Sequence, residues 1–376
     1  MPNQYGVRSR PRSLHQTNGV RPVSCTLDAV DVTPYVPKRR LRNGHLMTLY
    51  AWGKPRYFPK LPPAEGRFFD VAADARVLAH CHWQANREKH PALLGLHGLE
   101  SSSSAHYMRG LADKAFAAGF NVLLLNQRNC GGTEQHSVGL YHSGLIADAD
   151  HVIREIAERD RIDRVVVAGY SLGGNLALKL AGDYGDAQPA QLRGVCVVSP
   201  VIELEECVRA LERRQNVVYQ WNFVRGLRGR MRRKAQWFPG RFAIEKLSRI
   251  HTVRQFDEVY TAPHFGFRDA SDYYHRASAM RVIDRIRIPA LIITAEDDPF
   301  VPVTPFRNPR VTTNPHIRLI ITRYGGHCGF ITDASTGDDG YWAERQILTF
   351  AKQIVTTPPS RSASGRAPVP SPVLRA

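Results

Sequence analysis

The sequence predicts an α/β fold, a mostly parallel central sheet with helices on both faces. Short β-rich runs alternate with helical patterns along the chain, the order that builds a sheet flanked by helices. Several runs are apolar at consecutive positions, VLLL from Val122, VVVA from Val165 and LIIT from Leu291, as strands buried on both faces require. Chemically capable side chains follow directly after three of the runs, at the edge where open α/β sheets place their sites.

In chain order the strands read as Arg67–Val71, Val77–Trp83, Ala92–His97, Asn121–Asn126, Arg164–Ala168, Gly194–Ser199, Ala290–Thr294 and Ile317–Ile321. The first two, joined by a short Ala-Ala-Asp-Ala connection, read as an antiparallel hairpin leading into the sheet. Helical patterns occupy about 105–119, 144–159, 172–183 and 341–355. From 202 to 288 the pattern is helical, rich in Arg and aromatics, with no convincing strand. It reads as a helical cap inserted between two sheet strands, so the core divides into 25–201 and 289–355. A basic tail (1–24) and a Pro/Ser-rich tail (356–376) flank it. Both have compositions that bury too little apolar surface to order.

Of 376 residues, 43% are hydrophobic and 23% charged, ordinary globular usage that excludes a fibrous, collagen-like or wholly disordered chain. No apolar run approaches the roughly 20 residues of a membrane span. The start, MPNQYGVRSRPRS, lacks the apolar core of a secretory signal. Six cysteines show no CxxC pair and no zinc-ligand spacing, so free thiols in a reducing cytoplasm are expected. The net charge of +17 is concentrated. Residues 1–22 carry four arginines and 356–376 three, without acids, and 209–254 carries thirteen basic residues against Glu212 and Glu245. The remainder is close to neutral, so a nucleic-acid partner is not expected, although overall charge alone suggests one.

Gly169-Tyr170-Ser171-Leu172-Gly173 lies between a buried strand and a helical run. A G-x-S-x-G there makes a sharp strand-to-helix turn that exposes the serine hydroxyl. A base and its orienting acid should follow in the order acid, then His. Asp297-Asp298-Pro299 comes just past the strand ending at Thr294, and Gly325-Gly326-His327 past the strand ending at Ile321. His327 would take the Ser171 proton while a carboxylate fixes its tautomer. Offset beyond the strand and the following proline favour Asp298, with Asp297 still open. Two N–H donors must hold the oxyanion. Leu172 follows the nucleophile, and Leu99 lies in the His97-Gly98-Leu99-Glu100 loop. No metal or organic cofactor is required. His80 and His82 alternate on one strand face but lack a third ligand nearby, and His142 and His151 read as capping or solvent-facing.

With these residues the sequence resembles family 4 of the α/β-hydrolases, the YheT-like bacterial hydrolases related to the eukaryotic ABHD acyl hydrolases. The resemblance runs from about Pro37 to Ile354 through Asn43-Gly44-His45-Leu46, His97-Gly98-Leu99-Glu100, AGYSLGGN over Ala168–Asn175, Phe256-Asp257, Asp272-Tyr273-Tyr274, Asp297-Asp298-Pro299-Phe300 and Gly325-Gly326-His327. It implies an α/β-hydrolase fold with its triad on Ser171, Asp298 and His327. Two positions depart from the family pattern: Ser101 replaces Gly after HGLE, and Arg128-Asn129-Cys130-Gly131-Gly132 replaces R-G-C-S-G.

The expected activity is hydrolysis of carboxylic esters, short-chain or acylglycerol-type, through an acyl-Ser171 intermediate. A thioesterase or acyltransferase would use the same triad. Dehalogenase or epoxide-hydrolase chemistry needs a carboxylate where Ser171 stands. A non-catalytic binding module using its basic segments is the reading from another class. In the cap, Tyr219, Trp221, Phe223, Trp237 and Phe238 sit among Arg228, Arg230, Arg232 and Arg233. They read either as packing and a solvated face, or as a cationic entrance for anionic or amphiphilic esters that touches anionic lipid transiently. Oligomeric state is left open by the sequence.

Overall fold

A computed structural model describes residues 33–334 and 338–357. The tail assigned to 1–24 lies outside the described residues, as does that assigned to 356–376 apart from Thr356 and Thr357. The strands are β1 (Glu65–Ala72), β2 (Ala75–His82), β3 (Ala92–Leu96), β4 (Asn121–Leu125), β5 (Val165–Tyr170), β6 (Leu192–Val198), β7 (Ala290–Ala295) and β8 (Ile317–Thr322). They form one sheet in the order β1-β2-β4-β3-β5-β6-β7-β8. β1 pairs with β2 and β2 with β4 antiparallel, and all other pairs are parallel.

Successive strand residues face opposite sides, so each buried strand feeds two cores. Leu93, Val122, Leu124 and Val166 pack with helix α2 (His106–Ala117) and the C-terminal helix Trp342–Thr356. Leu94, Leu96, Leu123 and Val167 pack with α3 (Ala147–Arg159) and α4 (Leu172–Tyr184). Burying each such side chain contributes about 1.5–3 kcal/mol. Burial on both faces lets a five-residue strand such as β3 hold its place. Parallel register aligns the ends, with Leu96 of β3 opposite Leu125 of β4 and Gly169 of β5. The loops after β3, β5, β6, β7 and β8 therefore gather at one edge.

One helix is absent from the sequence reading. α1 (Gly44–Gly53, GHLMTLYAWG) is capped by Asn43, whose side chain accepts the Leu46 N–H at 3.1 Å. It buries Met47 and Ala51 yet leaves Leu46, Leu49 and Trp52 exposed. With apolar residues on both faces it has no amphipathic stripe to read.

Between β6 and β7 the described residues hold only helical elements. α5 (Leu204–Leu211), the long α6 (Val217–Trp237) and α7 (Ala270–Ala277) are linked by short turns, among them a π-helical turn at Asp257–Thr261. One side of α6 packs inward through Val224, Leu227 and Met231.

Candidate active site

Ser171 sits between β5 and α4 at φ 53°, ψ −116°, a conformation that costs a residue with a side chain about 1–3 kcal/mol. The surrounding hydrogen bonds hold it there: Ser171 N–H donates to Val198 O at 3.0 Å, and Ser171 O accepts from Asn175 N–H at 3.1 Å. A Cβ on Gly173 would lie 2.2 Å from Leu96 O, so α4 can begin this close to β3 only with glycine there.

His327 follows β8 in a tight turn, and its side chain is largely buried. Its Nδ1 lies 2.9 Å from Asp298 Oδ2, and the other Asp298 oxygen accepts the backbone N–H groups of Phe300 (3.1 Å) and Val301 (3.0 Å). The carboxylate is thus fixed, and it fixes the proton on Nδ1, leaving Nε2 with a lone pair. Asp297 turns elsewhere: its Oδ1 accepts Gly326 N–H at 2.9 Å, and its buried Oδ2 has no partner among the described residues. Burial disfavours a charged His327, but the adjoining Cys328 thiol and the Asp298 carboxylate outweigh it and raise the imidazole's proton affinity.

Ser171 and the residue after His327 meet at one backbone carbonyl. Ser171 N–H and Cys328 Sγ both reach Val198 O, at 3.0 and 3.7 Å. No hydrogen bond links the Ser171 hydroxyl to His327 among the described residues, and such contacts commonly tighten only with substrate bound.

The loop after β3 lies against the serine, since a Cβ on Gly98 would be 3.3 Å from Ser171 Cβ. Gly98 N–H donates to Tyr107 Oη at 3.1 Å and Glu100 N–H to Tyr141 Oη at 3.3 Å. The Leu99 N–H between them has no acceptor among the described residues. Leu172 opens α4, where the first N–H groups have no intrahelical partner. Ser101, at the position that departs from the family pattern, accepts from Tyr107 Oη at 2.7 Å and so steadies this loop.

Two groups of residues behave differently from their sequence reading. Arg230 does not stand at an open entrance. It is buried, with its guanidinium 2.7 Å from Glu100 Oε1 and 4.5 Å from the Tyr141 ring centroid. Arg233 pairs with Glu134 at 2.7 Å, and the buried Lys234 donates to Asn129 Oδ1 at 2.7 Å and to Ser137 O. Residues 230, 233 and 234 share one face of α6, and that face grips the loops after β3 and β4. Of the four arginines read as an entrance, Arg228 and Arg232 line a groove on its outer side, together with Arg225, Trp221 and His251. His142 likewise does not face solvent. It is half-buried against Phe265, 4.3 Å between ring centroids, and lines the cavity that also holds Ser171.

Other histidines are engaged as ordinary structural groups. His80 Nδ1 meets Ser103 Oγ at 2.9 Å, His82 Nδ1 meets Pro62 O at 2.9 Å, and His151 pairs with Glu155 on α3. No group of three or more His, Cys, Asp or Glu placed to hold a metal occurs among the described residues. The sequence reading missed the support from α1: His327 N–H donates to Thr48 Oγ1 at 2.8 Å, and Gly44 packs against Asp297. The Asn43-Gly44-His45-Leu46 motif marked the place but not this role.

The sheet order, the strand-to-helix serine turn and the inserted helices together define an α/β hydrolase. The chain belongs to the alpha/beta hydrolase fold family, whose profile matches residues 91–334. It is similar to the esterase-named protein YheT of Escherichia coli K12, 31% identical across 79% of this chain and 87% of that one. It is also similar to a monoacylglycerol lipase of Saccharomyces cerevisiae, 28% identical over 65% of this chain and 56% of the lipase. The esterase Pf2001 of Pyrococcus furiosus shares the fold, with a TM-score of 0.52 at 17% identity, covering 80% of this chain and 94% of that one.

Proposed function

We propose that the protein hydrolyses carboxylic esters, short-chain or acylglycerol-type, through an acyl-Ser171 intermediate. In this reading His327 Nε2 takes the Ser171 proton as Oγ attacks the ester carbonyl, and Asp298 stabilises the imidazolium. The N–H groups of Leu99 and Leu172 receive the developing oxyanion. His327 then protonates the leaving alcohol, and water, deprotonated by the same imidazole, releases the acid. The observation that carries the reading is the Asp298–His327 pair beside a serine held at positive φ. The names of the YheT and monoacylglycerol lipase relatives support ester chemistry.

The test is labelling by a fluorophosphonate, which reacts with activated serines. Wild type should label and Ser171→Ala should not; a folded wild type that never labels would refute the assignment. A thioesterase or acyltransferase would label equally and would differ in its preferred acyl donor or acceptor.

We read residues 202–288 as a cap over Ser171 on a core of 25–201 and 289–355. Contact with anionic lipid belongs to the same reading. Trp221 stands exposed beside Arg225, Arg228 and Arg232 on α6, and α1 turns Leu46, Leu49 and Trp52 outward. His45 of α1 stacks on Tyr219 of α6 at 5.7 Å, which brings the two helices side by side. A cytoplasmic setting is supported by free cysteines at 81, 130, 196, 207 and 328. Among the described residues no helix is long and apolar enough to cross a membrane.

A further inference from the structure

The cavity that starts at Ser171 runs into the inserted helices and has a volume of about 80 Å³. Its walls are mostly apolar, with Val208, Leu211 and Phe256 among them. Among the charged and imidazole side chains of its lining, Arg230 is paired with Glu100, which leaves Asp257 and His142. Asp257 is 8% exposed and lines the cavity. Its Oδ1 accepts from Thr261 Oγ1 at 2.7 Å and its Oδ2 from Tyr274 Oη at 2.8 Å. Each carboxylate oxygen can accept twice, so both hydroxyls leave acceptor capacity unused. Burial pushes this carboxyl up to about 6, partly offset by the Thr261 and Tyr274 hydroxyls.

The second is His142. Its Nδ1 accepts the Gly144 N–H at 3.1 Å, so in the neutral ring the proton is on Nε2. Burial, followed by the nearby Lys179 and Arg128 charges, holds the ring neutral, with its pKa near 3. Asp257 therefore offers an unfilled acceptor and His142 a donor, beside the Arg230 Nε, which has no partner among the described residues. Tyr273, whose ring lies 5.8 Å from that of His142, and Tyr274, the Asp257 partner, line the same cavity.

Which half of an ester enters follows from the proton path of the proposed hydrolysis, on which this inference rests. His327 must protonate the leaving alcohol, so the alcohol lies toward His327. Ser171, Leu99 and Leu172 line the cavity and His327 does not, so the cavity takes the acyl chain. An alkyl tail pressed on Asp257 would strip water from a carboxylate without replacing it, an unfavourable exchange. A hydroxyl on the tail can donate to Asp257 and accept from His142. We infer that the acyl pocket is built for acyl groups carrying a hydroxyl on the chain, with Asp257 and His142 as the residues that select them.

The experiment compares kcat/KM for p-nitrophenyl esters of straight-chain acids and of their ω-hydroxy counterparts, length by length, in wild type, Asp257→Leu, Asp257→Asn and His142→Phe. Wild type should favour the hydroxyacyl ester by roughly 10-fold or more at the length that reaches Asp257, as a hydrogen bond to a charged group predicts. Asp257→Leu should reverse the preference and His142→Phe reduce it. Asp257→Asn keeps the shape and acceptors for Thr261 and Tyr274, and should lower the ratio should the leucine variant fail to fold. An alkyl-to-hydroxyalkyl ratio identical in wild type and every folded variant overturns the inference and makes Asp257 a structural tie between the π-helical turn and α7. So does a preference for ω-amino over ω-hydroxy chains. Acetate-ester turnover with intact Ser171 labelling would, in either case, leave the hydrolase reading standing. Loss of labelling and of all turnover would end both.

Discussion

Replacing Arg230 with methionine separates a structural contact from a merely basic surface. The guanidinium and the Glu100 carboxylate are 2.7 Å apart with side-chain exposures of 6% and 11%. Burial pushes Glu100 up and the Arg230 charge pulls it back only in part. The same pairing raises Arg230 despite its own burial. Removing one partner of such a buried pair leaves an uncompensated charge, at a cost of about 3–5 kcal/mol, a large part of the ~5–15 kcal/mol that holds a domain folded. The loss has a second consequence, because Glu100 adjoins Leu99. If the loop shifts, the proposed oxyanion donor is misplaced, with an upper bound of about 10²–10³ in kcat. Urea unfolding and ester turnover, measured on Arg230→Met, Glu100→Gln and the double variant, resolve both. Each single variant should lose stability and kcat, while the double variant, with no stranded charge, should recover most of the stability. An Arg230→Met protein within about 0.5 kcal/mol of wild type, with unchanged kcat, would mean that α6 does not anchor the oxyanion loop.

The raised proton affinity of His327 predicts that kcat/KM climbs with pH as the imidazolium is lost, with a midpoint above 6.5. Asp298→Asn should lower that midpoint and reduce kcat by about 10⁴; a pH–rate profile already flat below pH 6.5 would contradict the assignment. Lys234 is depressed from 10.5 to about 8, by burial first and then by the Arg230 charge. Between these values the unfolded chain binds more protons than the folded one, so wild-type stability relative to Lys234→Met should rise with pH across that window. A pH-independent difference would show that the amine is not perturbed. For the lipid-facing surface, co-sedimentation with vesicles containing phosphatidylglycerol should weaken with salt and with Trp52→Ser or Trp221→Ser. Equal retention on neutral vesicles would remove the electrostatic half of that reading.

The strands were legible because a doubly buried strand writes itself as contiguous Val, Leu and Ile; β4 and β7 fall within one residue of their expected limits at each end, and β5 within two. α1 was illegible for the opposite reason: its exposed Leu46, Leu49 and Trp52 erase the contrast that a periodicity needs. The serine turn, the acid and the histidine each follow a strand, a local signal. The direction of Arg230 is not local, since a helix carrying 225, 228, 230, 232, 233 and 234 as cations does not say which of them faces Glu100. His142 was misread similarly, because the aromatics that bury it, Phe265 and Phe267, come from the inserted segment more than a hundred residues later.

The contact between Thr48 and His327 spans 279 residues of chain. At roughly 5–20 residues per second of synthesis, α1 leaves the ribosome about 14–56 s before the loop that it supports. Throughout that interval Met47 and Ala51 have no finished surface to cover, and the outward Leu46, Leu49 and Trp52 add to what the helix exposes. The nascent chain thus carries an apolar ten-residue segment from early in its life. Gly44, whose added Cβ would sit 1.7 Å from Asp297 O, then lets α1 close on the newly made turn as one of the last steps of assembly. The site would accordingly be completed only when α1 meets the loop after β8.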